Sequence, residues 1–152
     1  MKINKTSKKV AIVMGSQSDY LVMKKCEEIL KTLKIKYETK IISAHRTPER
    51  MFEFAKTSAK NNFAVIVAGA GGSAHLPGMI ASMSVLPVLG VPVETKKLKG
   101  LDSLLSIVQM PKGIPVGTVA IGENGAFNAG LLAASIISLS ENKIKKNLNK
   151  NG

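Results

Sequence analysis

Apolar residues alternate along this chain between short continuous runs and longer stretches with helical spacing. The first run, Lys9 to Met14, has Val10, Ile12 and Val13 as its body. It is too apolar to face water on either side, so it reads as a strand of a parallel sheet covered by helices. Gly15 to Asp19 forms a turn. From Tyr20 to Leu33, Val22, Cys26, Ile29, Leu30 and Leu33 recur on one helical face, with lysines and glutamates elsewhere. A second strand covers Tyr37 to Ile42, and Ser43 to Pro48 is a loop. Pro48 suits the first turn of a helix that runs to about Lys60 with Phe52, Ala55 and Ala59 on a common face. Ala64 to Ala68 is the third strand, Gly69 to Ser73 a loop, and His75 to Met83 a short helix. Val88 to Val91, between Pro87 and Pro92, is the fourth strand. A helix over Leu101 to Ile107, a strand over Val116 to Ile121 and a helix over Asn124 to Ser140 follow.

Strand followed by helix, five times over, predicts an α/β domain with a parallel sheet. Five strands in a doubly wound sheet commonly take the flavodoxin-like order 2-1-3-4-5, so the expected architecture is a three-layer sandwich with helices on both faces. No repeat, linker or second composition appears. The expectation is a single domain over residues 1–152, with its core at about 9–140 and a basic tail at each end. The last helix adds a constraint. No charged residue lies between Asn124 and Ser140, whereas the helix of a monomer needs a polar outer face. The tail beyond reads as too short to cover it, which points to a second subunit and a homo-oligomer.

Composition changes this picture little. Trp is absent and aromatics make up 4%, so the core must be built from Val, Ile, Leu, Ala and Met. The single cysteine, Cys26, excludes an internal disulfide and a cysteine-based zinc site, and its helical neighbours place it in the core. No stretch approaches the roughly 18 apolar residues of a membrane span, and Val10 to Met14 is too short for a secretory core, so a cytoplasmic protein is expected. The net charge of +12 raises a nucleic-acid reading. However, Lys2, Lys5, Lys8 and Lys9 cluster at the front of the first strand, and Lys143, Lys145, Lys146 and Lys150 follow the last helix. Frayed polar tails explain that distribution without nucleic acid. A positive field also favours a phosphorylated small substrate.

Ligands of doubly wound sheets bind beyond the carboxyl ends of the strands, where the strand order switches. With order 2-1-3-4-5 the loops leaving strands 1, 2 and 3 are neighbours there. They read GSQSD, SAHRTP and GAGGSAHLPG, and are rich in Gly, Ser, His, Arg and Asp. In the first, Ser18 and Asp19 stand at a helix N-cap position, and capping alone would explain them. The same helix start also offers N–H groups to an anion, while Asp19 fits ribose hydroxyls better than phosphate. The loop is neither a Walker loop nor a dinucleotide GxGxxG motif. In the second, His45 is either a surface residue or a base kept neutral by the adjacent Arg46. Arg46 is a fork for phosphate or carboxylate, and Ser43 adds a hydroxyl. In the third, Gly71 and Gly72 either make a tight turn or leave room for a flat ring. His75 opens the next helix, where it either caps, packs or assists. No GxSxG elbow and no cluster of histidines and carboxylates with metal spacing occurs.

Six stretches together carry a resemblance: VAIVMGSQSD (Val10–Asp19), SAHRTPER (Ser43–Arg50), AGAGGSAHLPGMIA (Ala68–Ala81), LGVPV (Leu89–Val93), GLDSLLSIVQMPKGIPVGTVAIG (Gly100–Gly122) and GAFNAGLLAA (Gly125–Ala134). Over about residues 9–140 the chain resembles the class I N5-carboxyaminoimidazole ribonucleotide mutases of purine biosynthesis. The resemblance implies a flavodoxin-like subunit of a homo-octamer. It implies a cofactor-free isomerisation that moves a carboxyl group from an exocyclic amine to ring carbon 4. His45 matches the acid/base histidine, and Ser16, Asp19 and Arg46 match substrate-binding positions. Ser18, Ser43, the Ala70, Gly71, Gly72 and Ser73 backbone, His75 and Leu76 complete the implied site. Four residues depart from the usual pattern: Ser73 for Ala, Lys112 for Arg, and Phe127 and Gly130 in a helix that usually carries small residues. A direct carboxylase acting on free carbon dioxide is the alternative enzyme. A nucleic-acid-binding module and a non-catalytic binding domain are the alternatives outside enzymes.

Overall fold

The computed structural model describes residues 7–151. Five parallel strands form one sheet in the order β2-β1-β3-β4-β5, as the alternation predicts. β1 is Lys9–Met14, β2 Tyr37–Ile41, β3 Phe63–Gly71, β4 Val88–Val93 and β5 Gly117–Thr118. The helices are α1 (Tyr20–Thr32), α2 (Pro48–Thr57), α3 (Leu76–Ala81), α4 (Leu101–Val108), α5 (Glu123–Ser138) and α6 (Asn142–Asn151).

Strand alternation divides the core in two. Val10, Ile12 and Met14 of β1, with Val65 and Val67 of β3, point to one face. There they meet Met23, Cys26 and Leu30 of α1 and Ala126, Ala129 and Ala133 of α5. Ala11, Val13, Ile66 and Ala68 point to the other face, under Phe54 and Ala55 of α2, Ile80 of α3 and Ile107 of α4. Both faces are thus covered, and burial of Cys26 pushes its thiol up to about 12, which makes it core rather than chemistry.

Several boundaries differ from the sequence pattern. β3 continues through Gly69 and Ala70 to Gly71, because β4 pairs with it to that point (Gly71 opposite Val93). β5 shrinks to two residues, since β4 supplies partners only through Leu89 and Gly90. α2 buries Met51, Phe54 and Ala55 rather than the face of Phe52 and Ala59; Phe52 is 50% exposed, with the Lys56 ammonium 5.4 Å from its ring centre. Glu27, on the charged side of α1 by pattern, is buried. Its carboxylate accepts hydrogen bonds from Tyr20 Oη (2.6 Å) and Thr39 Oγ1 (2.5 Å), which fastens α1 to β2.

The tail after Ser140 is α6, not a frayed end. Ile144 is buried and Leu148 packs beside it against the α1–α5 core, while Asn147 Nδ2 donates to the Leu33 carbonyl at the end of α1 (2.9 Å). Part of the cover that the charge-free stretch of α5 after Glu123 requires therefore comes from the chain itself. At the other end, Lys9 is the first residue of β1; it pairs with Glu38 and stands 4.5 Å from the Phe63 ring centre. Lys8 donates its backbone N–H to Glu141 (3.1 Å). Lys2 and Lys5 lie outside the described residues.

Of the four departures noted above, Gly130 has a clear physical role. A Cβ there would fall 2.4 Å from Ile29 Cγ2 and 3.2 Å from the Cys26 carbonyl oxygen, so glycine lets α5 approach α1 closely. Phe127 lies on the half-exposed side of α5, and Lys112 is exposed in the loop after α4. Nothing in the structure explains why lysine rather than arginine stands at 112.

Candidate active site

Three loops at the carboxyl ends of β1, β2 and β3 build a cleft of about 510 Å³, at the switch point of the sheet. After β1, Ser16 rather than Ser18 or Asp19 provides the cap. Its Oγ accepts from Ser18 N (3.3 Å) and lies 3.0 Å from Ser18 Oγ. Asp19 makes no side-chain capping bond and is buried in the wall. Its carboxyl is held above the usual carboxylate range by burial, an effect opposed by a hydrogen bond from the Ser16 backbone. With capping assigned to Ser16, the Asp19 carboxyl stands in the cleft wall.

After β2, the loop is folded on itself by Thr47, a residue the sequence pattern did not single out. Thr47 Oγ1 donates to the Ser43 carbonyl (3.0 Å) and accepts from Ser43 N (3.1 Å). Ser43 Oγ accepts from Arg46 N (3.1 Å), so its own proton remains available to a ligand. Buried Ala44 anchors the turn, and the exposed side chains of His45 and Arg46 project from it.

After β3, Gly72 takes φ +70°, a conformation that favours glycine. Fully buried Ser103 of α4 holds this bend: its Oγ accepts from Gly72 N (2.9 Å) and donates to the Val93 carbonyl (2.6 Å). Ser106 Oγ donates to the Gly72 carbonyl (3.3 Å). Neither serine was legible as a site-building residue, because both lie on an ordinary helical stretch. His75 precedes α3 without capping it by its side chain. Instead its Nδ1 lies 2.9 Å from His45 Nε2, the rings meeting edge to face with centres 5.0 Å apart.

The cleft brings together every sequence-predicted position. His45, Arg46 and Ser43 stand beside Ser16, Ser18 and Asp19, and Ala70 to Ser73 with His75 and Leu76 form the remaining wall. Gly15 and Ala44 line it as well. A fourth segment, Val93 to Lys96 after β4, also borders it. The strand order itself held that signal, since β4 is the next neighbour of β3. Among the described residues, no group of three or more histidine, cysteine or carboxylate side chains is arranged to hold a metal ion.

Chemically, the cleft offers a hydrogen-bonded pair of imidazoles, a buried carboxyl, a guanidinium and a small-residue wall. In the hydrogen-bonded pair one imidazole nitrogen donates and the other accepts, so the partner of one ring fixes which nitrogen of the other carries its proton. Fold and cleft together define a doubly wound α/β protein with a histidine-bearing cleft at its switch point. Residues 9–152 match the family model described as AIR carboxylase, and the chain belongs to that family. The N5-carboxyaminoimidazole ribonucleotide mutase of Haemophilus influenzae is 60% identical over 129 residues, covering 85% of this chain and 79% of that protein. The mutase of Escherichia coli K12 is 54% identical over 141 residues, covering 93% and 83%. Among solved structures, PurE of Treponema denticola superposes with a TM-score of 0.84 at 31% identity, covering 93% of this chain and 87% of that one.

Proposed function

We propose that this protein converts N5-carboxyaminoimidazole ribonucleotide into 4-carboxy-5-aminoimidazole ribonucleotide in purine biosynthesis. The carrying observation is the His45–His75 pair, 2.9 Å apart, in the same cleft as Gly71 and Gly72. The reaction needs one proton moved twice beside a space that holds carbon dioxide. His45, protonated, gives its proton to the exocyclic nitrogen as the nitrogen–carboxyl bond breaks. Carbon dioxide is released and that bond's electron pair returns to nitrogen. Ring carbon 4 then attacks the carbon dioxide held beside it, forming the carbon–carbon bond; holding the gas there is catalysis by proximity. His45, now neutral, removes the hydrogen from carbon 4 and restores the aromatic ring, so proton and catalyst are both regenerated. Ser18 and Arg46 bind the phosphate, Ser16 and Asp19 the ribose side, and the Ala70–Ser73 backbone with Leu76 the ring and carboxyl group.

The mutase direction draws on the names of the relatives, because a carboxylase would use the same fold and histidine. An isotope experiment separates the two. The carbamate substrate is supplied with its carboxyl carbon labelled, in a large excess of unlabelled bicarbonate. A mutase passes most of the label into product. Product carrying mainly the buffer's carbon, or efficient turnover of the uncarboxylated ribonucleotide at low bicarbonate, overturns the assignment.

We also propose a homo-octamer in the cytoplasm. Leu101, Leu105 and Val108 form an exposed apolar stripe on α4, and Leu132 is exposed on α5; the number eight comes from the family resemblance. No helix among the described residues is long and apolar enough to cross a membrane. Light scattering should find a large assembly at working concentration. A stable 16.2 kDa monomer would refute it.

A further inference from the structure

We infer that Lys96 binds the carboxylate of the substrate and so discriminates carboxylated ribonucleotides from the uncarboxylated one. The inference rests on the functional reading above and assigns a role to the loop after β4.

That loop is a braced wall. Thr95 Oγ1 donates to Asp102 Oδ1 of α4 (2.7 Å) and accepts from Gly100 N (3.3 Å). Lys99 at φ 55° and Gly100 at φ 93° turn the chain back into α4. Ser103 joins the wall to the β3 loop by bonding both Val93 and Gly72. The two loops also touch at Gly71, where a Cβ would lie 3.6 Å from the Val93 carbonyl oxygen and 3.7 Å from Thr95 Cγ2. The Lys96 loop therefore stands beside the small-residue wall assigned to the carboxyl group.

The charges of the cleft divide accordingly. Arg46 comes from the β2 loop, next to Ser43 and across from Ser16 and Ser18 of the β1 loop, a hydroxyl-rich setting suited to phosphate. Lys96 is the other side-chain ammonium or guanidinium of the lining and comes from the loop after β4, three strands from β2. The ion pairs among the described residues involve Lys9, Lys25 and Lys40, not Lys96. Its exposed ammonium is thus available to an anion. Glu94 stands on the same wall and repels any anion there, so a carboxylate on this side needs the Lys96 ammonium to offset it.

Titration calorimetry tests this with two probes, 4-carboxy-5-aminoimidazole ribonucleotide and aminoimidazole ribonucleotide. The proteins are the wild type, Lys96→Ala, Lys96→Arg and Lys97→Ala, the last removing an adjacent lysine outside the cleft lining. Lys96→Ala should weaken the carboxylated probe roughly 3- to 5-fold, the upper part of the range of an exposed ion pair. It should leave the uncarboxylated probe within about 2-fold, a change under half a kcal/mol. Lys96→Arg should restore most of the affinity, and Lys97→Ala should match the wild type. Equal weakening of both probes, no weakening of either, or the same loss in Lys97→Ala overturns the inference. A wild type that binds neither probe instead overturns the functional reading beneath it.

Discussion

His45→Asn keeps the fold and the affinity for the ribonucleotide, and loses turnover by about 10²- to 10⁴-fold, the usual contribution of a positioned acid/base group. Fold is spared because the His45 side chain is exposed in a loop whose shape is set by Ser43 and Thr47, neither of which it contacts through a hydrogen bond. Affinity is spared because phosphate and ribose contacts are assigned to Ser16, Ser18, Asp19 and Arg46. What asparagine lacks is a nitrogen able to take up and release a proton, and the proposed reaction uses that nitrogen twice. The loss should therefore appear in kcat, with KM little changed. Steady-state assay with the carbamate substrate, alongside calorimetric binding of product, separates the two effects. Near-normal turnover in His45→Asn removes His45 from the mechanism. A fall in binding as large as the fall in turnover would make it a binding residue instead.

Gly125→Ala should be the most destabilising small substitution among the glycines of this fold. A Cβ at 125 would lie 1.6 Å from the Ala120 carbonyl oxygen and 2.6 Å from its carbonyl carbon. Both atoms are backbone, so no rotamer change relieves the overlap; the first turn of α5 or the segment after β5 must move. Either movement disturbs a bonded corner, because Gly122 N donates to the Pro92 carbonyl (2.8 Å) and Ala126 N to the Gly122 carbonyl (3.0 Å). Overpacking typically costs ~1–3 kcal/mol and backbone displacement adds to it. Alanine's better helix propensity returns only about 1 kcal/mol. A net loss of about 3 kcal/mol is expected, a large share of an ordinary domain's stability. Gly69→Ala provides the contrast. Its nearest neighbour is Met23 Sδ at 2.3 Å, the far part of a flexible thioether. Urea unfolding should rank Gly125→Ala well below Gly69→Ala. The reverse order, or a Gly125→Ala midpoint within error of the wild type, contradicts the packing argument.

Much of this molecule was legible as a pattern. β1, β3 and β4 are continuous apolar runs because both their faces lie under helices, and such runs are unmistakable along a chain. The strand order followed from five strand–helix alternations, and with it the three loops that meet at the switch point. Once those loops were neighbours, their Ser, Asp, His and Arg residues formed one candidate site, and the cleft lining contains all of them. Local chemistry was less secure. Ser16 caps the turn that Ser18 and Asp19 were expected to cap, because the four polar residues Ser16 to Asp19 offer alternatives that only backbone geometry resolves.

Tertiary structure decided what depends on distance rather than pattern. α2 carries apolar residues on two sides, and which of Phe52 and Phe54 is buried follows from where the sheet lies, not from helical spacing. α6 has two apolar side chains, Ile144 and Leu148, among lysines and asparagines. Its composition reads as solvated tail, and packing against the α1–α5 core buries Ile144 and half-buries Leu148. A separation of 30 positions between His45 and His75 hides their hydrogen bond, and one of 31 between Gly72 and Ser103 hides the brace beneath the cleft. Hydrophobic periodicity records which side of an element avoids water. The partners that element meets are set by the folding of the whole sheet, so the sequence determined the loops of the site, and the tertiary structure determined the bonds between them.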